Sequence, residues 1–202
     1  LNLTHEDMSS KIISKTEIAE ILKEEGFNPD YISQLAIGKA KTGKPFLNQI
    51  IRSSIDADKL DFVQRDSYHT GAGFGSIDVH RLINNLVIVD GALAIKEKAI
   101  TALEAFLIVR MWAFRSIYFH KTSRAVQIML FQAMEKAREE LKIRDLSNNL
   151  ELYITLDDYI AWCTLKNCSK SKEIMYKLES RDLLKCVYET TFYLRDEAIS
   201  KM

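Results

Sequence analysis

Glycine and proline are scarce, seven and two in 202 residues, well under half the usual combined share of roughly 12%. A sandwich, barrel or propeller needs a turn about every 8–12 residues, so those folds are excluded and a helical body is expected. Cysteine is scarce too. Cys163, Cys168 and Cys186 are odd in number and contain no CxxC pair, which excludes a disulfide framework and a zinc signature and fits a reducing compartment. An excess of charge of either sign is missing, since Lys+Arg and Asp+Glu each number 28. With no global field, nucleic acid is not an expected partner, and any polyanion must be held by a local cluster. Long apolar runs are missing as well. The longest, residues 102–111, is interrupted by Glu104 and Arg110 and falls short of the ~20 residues a membrane span needs, so no membrane partner is expected and the chain reads as cytoplasmic.

What is present is helical periodicity. Ile12, Ile13, Ile18, Ile21 and Leu22 recur near helical spacing until Gly26 stops the run. Asn28 and Pro29 restart a helix as N-cap and first turn, and Gly38 closes it. A loop at 41–45 leads to a short helix at 46–52, and Gly71, Gly73 and Gly75 mark a second loop. Residues 86–89 and 92–95 flank Asp90-Gly91, the signature of a hairpin with a type I′ turn. From 96 to 142 almost no breaker intervenes, which predicts two long helices or one bent helix. Further helices are expected at 153–165 and 170–178, and a last short element at 181–188. Trp112, Phe114, Phe119 and Phe131 are assigned to the core, as are Cys163 and Cys168.

Two segments carry more polarity than packing needs. On a helix, Asp58, Lys59, Phe62, Arg65, Asp66 and His69 share one face, with Leu60, Val63 and Ser67 on the other. That stripe is either a solvated face laced with i,i+3 and i,i+4 ion pairs, or the wall of a polar cleft in which carboxylate holds a hard cation and bases hold phosphate. Arg110 stands among Phe106, Leu107, Ile108, Val109, Met111 and Trp112. It either snorkels with its stem on the core or forms an anion site with Tyr118 and Lys121, the latter about three turns on and on the same face. His5, with Glu6 and Asp7, is either a frayed terminus or part of a site.

Together these residues resemble the HD-domain nucleotide phosphohydrolases, specifically the deoxynucleoside triphosphate triphosphohydrolase branch. Asp56-Ala57-Asp58-Lys59-Leu60-Asp61-Phe62, with Arg65, Asp66 and Gly71, looks like that branch's DxDKxDYxxRD motif. Arg110 with Tyr118, His120 and Lys121 looks like its arginine and YxHK motif, Thr4-His5-Glu6 like its His-Glu pair, and Arg181-Asp182-Leu183-Leu184-Lys185 also has a family look. The resemblance implies a mainly α, HD-domain-type helical bundle with one small β-hairpin, truncated at its N-terminus. Residues 1–142 would be the C-terminal part of the catalytic domain and 143–202 a helical extension packed on it. The implied reaction of the full-length protein is metal-dependent hydrolysis of deoxynucleoside triphosphates to deoxynucleoside and triphosphate, this chain alone being inactive.

Position by position, the resemblance implies that Asp58 is the last ligand of a divalent metal ion such as Mg, Mn or Fe. It implies that Lys59 and Arg110 contact the triphosphate, that Phe62 and Tyr118 line the same pocket, and that Asp66 accepts the sugar 3′-hydroxyl. His5 would be the catalytic histidine beside the scissile bond. Arg81, Lys96, Lys98 and Lys121 match positions that bind a regulatory nucleotide between subunits, which implies a homo-oligomer, dimer or tetramer. The chain departs from the pattern in three ways. It has no His-Asp dipeptide, Phe62 stands where tyrosine is common, and Phe119 replaces a polar residue. Two rival expectations are an HD phosphohydrolase acting on another nucleotide phosphoester, and a non-catalytic helical module that binds a nucleotide or a partner protein.

Overall fold

Thr4 fixes the start of the first helix, α1 (His5–Lys15), through a capping box. Its hydroxyl accepts from the Asp7 amide at 3.1 Å, and the Asp7 carboxylate accepts from the Thr4 amide at 2.9 Å. The terminus at His5 is therefore anchored rather than frayed. The computed structural model describes residues 4–73 and 77–188. Next come α2 (Glu17–Glu24) and α3 (Pro29–Ala36), both packed on α1. As expected, Asn28 caps α3, its side chain accepting from the Tyr31 amide at 3.0 Å. Gly38 (φ +67°) then turns the chain toward α4 (Pro45–Ile51). A Cβ at Gly38 would stand 2.7 Å from the Arg52 Cβ, so this close approach requires glycine.

The first core joins α5 (Ala57–Thr70), α6 (Val79–Ile83) and α7 (Ile100–Ala113). Leu60 and Val63 from α5, Leu82 from α6, and Ala102, Phe106, Val109 and Ala113 from α7 are buried together. The α7 set recurs at four, three and four residues, one helical stripe. Phe106 is wholly buried, a contribution of about 1.5–3 kcal/mol. Between α6 and α7 lies the hairpin expected from Asp90-Gly91, with β1 (Leu86–Val89) antiparallel to β2 (Ala92–Ile95) and Val89 opposite Ala92. Both turn residues have positive φ, 50° and 77°, as a type I′ turn demands.

Beyond α7 the chain makes a π-helical turn at Phe114–Tyr118, closed by the Phe119 amide on the Phe114 carbonyl at 2.8 Å. It restarts as α8 (Lys121–Lys136), capped by the His120 imidazole, which accepts from the Thr122 amide at 3.2 Å. There follow α9 (Arg138–Leu141), α10 (Ile143–Leu146), α11 (Leu150–Thr155), α12 (Asp158–Asn167) and α13 (Lys172–Glu179). The second core unites Met129, Ala133, Ala137 and Leu141 with Leu165, Cys168, Met175 and Leu178.

Several expectations need correction. The helix expected at 153–165 is broken, because Asp157 caps α12 by accepting from the Ile160 amide at 2.7 Å. The segment 181–188 forms no regular element. It leaves α13 through Arg181 in the left-handed region (φ 59°), with the Asp182 amide bonded back to the Lys177 carbonyl at 2.8 Å. Trp112, Phe119 and Phe131 are exposed, since helical phase turns Trp112 and Phe131 away from the buried stripes of α7 and α8, and Phe119 lies in the break between those helices. Cys163 is exposed, while Cys168 is buried as expected. Gly71 and Gly73 are left-handed loop residues; Gly75 lies outside the described residues.

Candidate functional site

The middle of α5 meets the π-helical turn that follows α7 through one hydrogen bond and a group of rings. The Tyr118 hydroxyl donates to the Asp66 carboxylate at 2.5 Å. The Tyr118 ring meets Phe62 edge-on at 6.2 Å between centroids and Phe114 at 5.2 Å. Arg110 lays its guanidinium 5.8 Å above the Phe114 ring. Its Nε is buried and has no hydrogen-bond partner. Eight residues along an unbroken α-helix would leave Tyr118 about 80° from Arg110; the π-helical turn re-phases the chain between them. Burial pushes the Tyr118 phenol well above the ordinary tyrosine range, and the Asp66 carboxylate pushes it the same way, while the Arg110 and Arg65 charges pull it back. Both guanidiniums therefore act on this one hydroxyl.

Because its pKa is raised by folding, the Tyr118 proton contributes stability below the ordinary tyrosine value of about 10. That contribution is lost as pH rises toward the elevated folded value. Tyr118→Phe should cost about 1–2 kcal/mol at neutral pH, and the gap to the parent should narrow above about pH 10. Urea denaturation at pH 7, 9 and 11 checks this; a gap unchanged across that range would contradict it.

At the N-terminus of α5 the best-held carboxylate is Asp56, only 2% exposed. It accepts from the Lys59 amide at 2.9 Å, from the Ser53 amide at 3.0 Å and from the Lys59 ammonium. Burial pushes its pKa up, but these three donors outweigh burial and hold it below the usual carboxylate range. In the sequence Asp56 stands out only as the first residue of the DxDKxDY-like motif. The available signal was an Asp three residues before Lys59, the spacing of an N-cap and its N3 amide.

Asp58 is exposed in the first turn of α5, and Lys59 is turned toward Asp56. No three His, Cys, Asp or Glu side chains converge on a metal-sized site among the described residues. Asp58 offers one carboxylate, so these residues do not by themselves fit a divalent ion.

The expected stripe on α5 divides in two. Phe62 and Asp66 turn inward to Tyr118, whereas Arg65 pairs with Asp61 at 2.8 Å, both more than half exposed. That pair is a solvated i,i+4 bridge worth little. His69 is exposed against Tyr68, with ring centroids 5.2 Å apart. His5 is exposed at the start of α1. Its neighbour Glu6 pairs with Lys39 at 2.7 Å and Arg52 at 2.8 Å, and the residue after Arg52 donates its amide to Asp56. This chain of contacts ties the start of α1 to the start of α5.

Of the four cations expected in a regulatory site, Arg81 donates to the Lys98 carbonyl at 2.6 Å, and Lys96 closes the hairpin through its amide on the Asn85 carbonyl at 3.0 Å. Lys121 begins α8. It lines a cavity of about 510 Å³ with Thr122, Arg181, Asp182 and Lys185. It does not share one helix face with Arg110, because the π-helical turn and the break at Phe119 separate α7 from α8.

Residues 77–201 match the family described as the HD associated region. The chain is 31% identical over 140 residues to the uncharacterized protein YwfO of Bacillus subtilis, covering 68% of this chain and 32% of that protein. It is 28% identical over 199 residues to the deoxynucleoside triphosphate triphosphohydrolase SAMHD1 homolog of Dictyostelium discoideum, covering 92% and 38%. Among solved structures it superposes on a phosphohydrolase from Bacteroides thetaiotaomicron with TM-score 0.75 and 27% identity, over 91% of this chain and 51% of that one. The chain thus spans about half or less of the length of each.

Proposed function

The chain belongs to the HD-associated-region family, and from that premise we propose that it forms part of a phosphohydrolase that cleaves deoxynucleoside triphosphates to deoxynucleoside and triphosphate. The observation that carries this reading is Arg110, whose buried Nε lacks a partner beside the Tyr118–Asp66 pair. A buried donor without an acceptor is costly, and a guanidinium offers a planar fork suited to phosphate oxygens. In this reading Arg110 and Lys59 hold the phosphate tail, and Asp66 exchanges the Tyr118 hydroxyl for the sugar 3′-hydroxyl. Phe62 and Tyr118 close the pocket wall, His5 assists the leaving group, and Asp58 is one carboxylate of a divalent-metal site. Arg81, Lys96, Lys98 and Lys121 serve a regulatory nucleotide in a cytoplasmic homo-oligomer. The reading of 143–202 as an extension packed on the catalytic part is supported, among the described residues, by Leu165, Cys168, Met175 and Leu178 packing on Met129, Ala133, Ala137 and Leu141.

Chromatographic product analysis of the full-length protein on a nucleotide panel tests the reaction. Free triphosphate and deoxynucleoside are the expected products. Release of orthophosphate, pyrophosphate or nucleoside monophosphate alone would replace this reading with a different phosphoester chemistry.

A further inference from the structure

Among the described residues the hairpin has one covered edge and one open edge. On β2, the Leu93 amide points outward and donates to the α4 side chain of Gln49 at 2.7 Å, and the Gly91 carbonyl accepts from the Phe46 amide at 3.0 Å. The α4 helix therefore seals that side. On β1, the Lys96 amide bonds the Asn85 carbonyl at 3.0 Å, which fixes the alternation: Asn85, Val87 and Val89 face β2, and the backbone groups of Leu86 and Ile88 face outward. The sheet has two strands, so no strand among the described residues pairs with that outer edge. Its sequence, Leu86-Val87-Ile88-Val89, contains no lysine, proline or glycine to discourage pairing. Ile88 and Val89 are each 54% exposed. Leu86 also lines an apolar cavity of about 420 Å³ with Ile50, Leu60, Val79, Ile83 and Leu93, and Leu86, Ile88 and Leu93 share one face of the hairpin.

We propose that β1 is a self-pairing edge: two copies of the chain join β1 to β1 antiparallel about Val87, making a four-stranded sheet. In that register Leu86 stands opposite Ile88 of the partner subunit, and the two outward-facing residues of each strand exchange four main-chain hydrogen bonds. A row of outward amides and carbonyls is matched group for group by another extended strand. An uncharged strand opposite itself sets no like charges together. The two-fold keeps Leu86 and Ile88 of both copies on the cavity side. Because α4 seals β2, the pairing uses one edge per copy and closes as a dimer instead of growing into a fibre. The assignment stands independently of the reaction proposed above.

Register-specific cross-linking in the full-length protein tests it. Residues at the two-fold form a non-hydrogen-bonded pair with Cα atoms about 4.5 Å apart, within disulfide range. Val87→Cys should therefore yield a covalent dimer under mild oxidation, well above the parent with its native cysteines. Ile88→Pro removes only an outward amide, so it should weaken the dimer at least about tenfold in sedimentation with the helical circular dichroism retained. Ile88→Lys supplies the same readout should proline disturb the strand. No cross-link above the parent, a protein that is monomeric throughout, or a dimer indifferent to both Ile88 variants would each overturn the proposal.

Discussion

Replacing Arg110 with methionine in the full-length protein should lower kcat/KM for a deoxynucleoside triphosphate by about 10²–10³-fold, the loss typical of removing one positioned donor from a charged transition state. The melting temperature should stay the same or rise. These two expectations have a single cause. Methionine keeps the apolar stem that lies along the core side of α7 while deleting a guanidinium whose Nε is buried without an acceptor, so it removes a desolvation cost. What stability is lost is the contact over the Phe114 ring, about 0.5–1 kcal/mol. Arg110→Lys should recover only part of the activity, because a point charge does not reproduce the fork. Triphosphates should suffer more than monophosphates. Equal losses for both, or a large fall in melting temperature, would make Arg110 a structural residue and dismiss the anion site.

Some of this arrangement is legible in the sequence because its cause lies within a few residues. Asn28-Pro29 and Asp90-Gly91 specify their cap and turn locally, and both form as expected. The π-helical turn at Phe114–Tyr118 has no such local signature. It exists because the Phe114 and Tyr118 rings pack together and Tyr118 reaches Asp66 on another helix, and so the expected alignment of Arg110 with Lys121 failed. Hydrophobicity likewise reports that Trp112 and Phe131 favour burial without saying which side of their helices has a neighbour. The acidic run from Asp56 to Asp61 conceals its own division of labour. Asp56, Asp58 and Asp61 have the same chemistry, and only the point at which the helix begins makes the first a buried cap, the second an exposed first-turn charge and the third a surface ion-pair partner.

That division gives Asp56→Ala the largest expected effect on stability, about 3–5 kcal/mol, the range for stripping one partner from a buried ion pair and including roughly 1 kcal/mol for the lost cap. The substitution leaves the Lys59 ammonium facing a site built for a carboxylate, and the Ser53 and Lys59 amides lose their acceptor. The effect depends on pH in a defined direction. The folded-state pKa of Asp56 is depressed, so its contribution is full above the unfolded value of about 3.9. It is lost as pH falls through the folded value. Denaturant melts of parent and Asp56→Ala should therefore differ by a constant amount from pH 7 down to about pH 5 and converge below that. Asp58→Ala, two residues on and exposed, should stay within about 0.5 kcal/mol of the parent throughout. If Asp58→Ala proved the more destabilising of the two, or the Asp56→Ala gap held constant into acid, Asp56 would not be the charge that organises the head of α5. Lys59 would then take its position from something other than this carboxylate, and its place in the phosphate site would go with it.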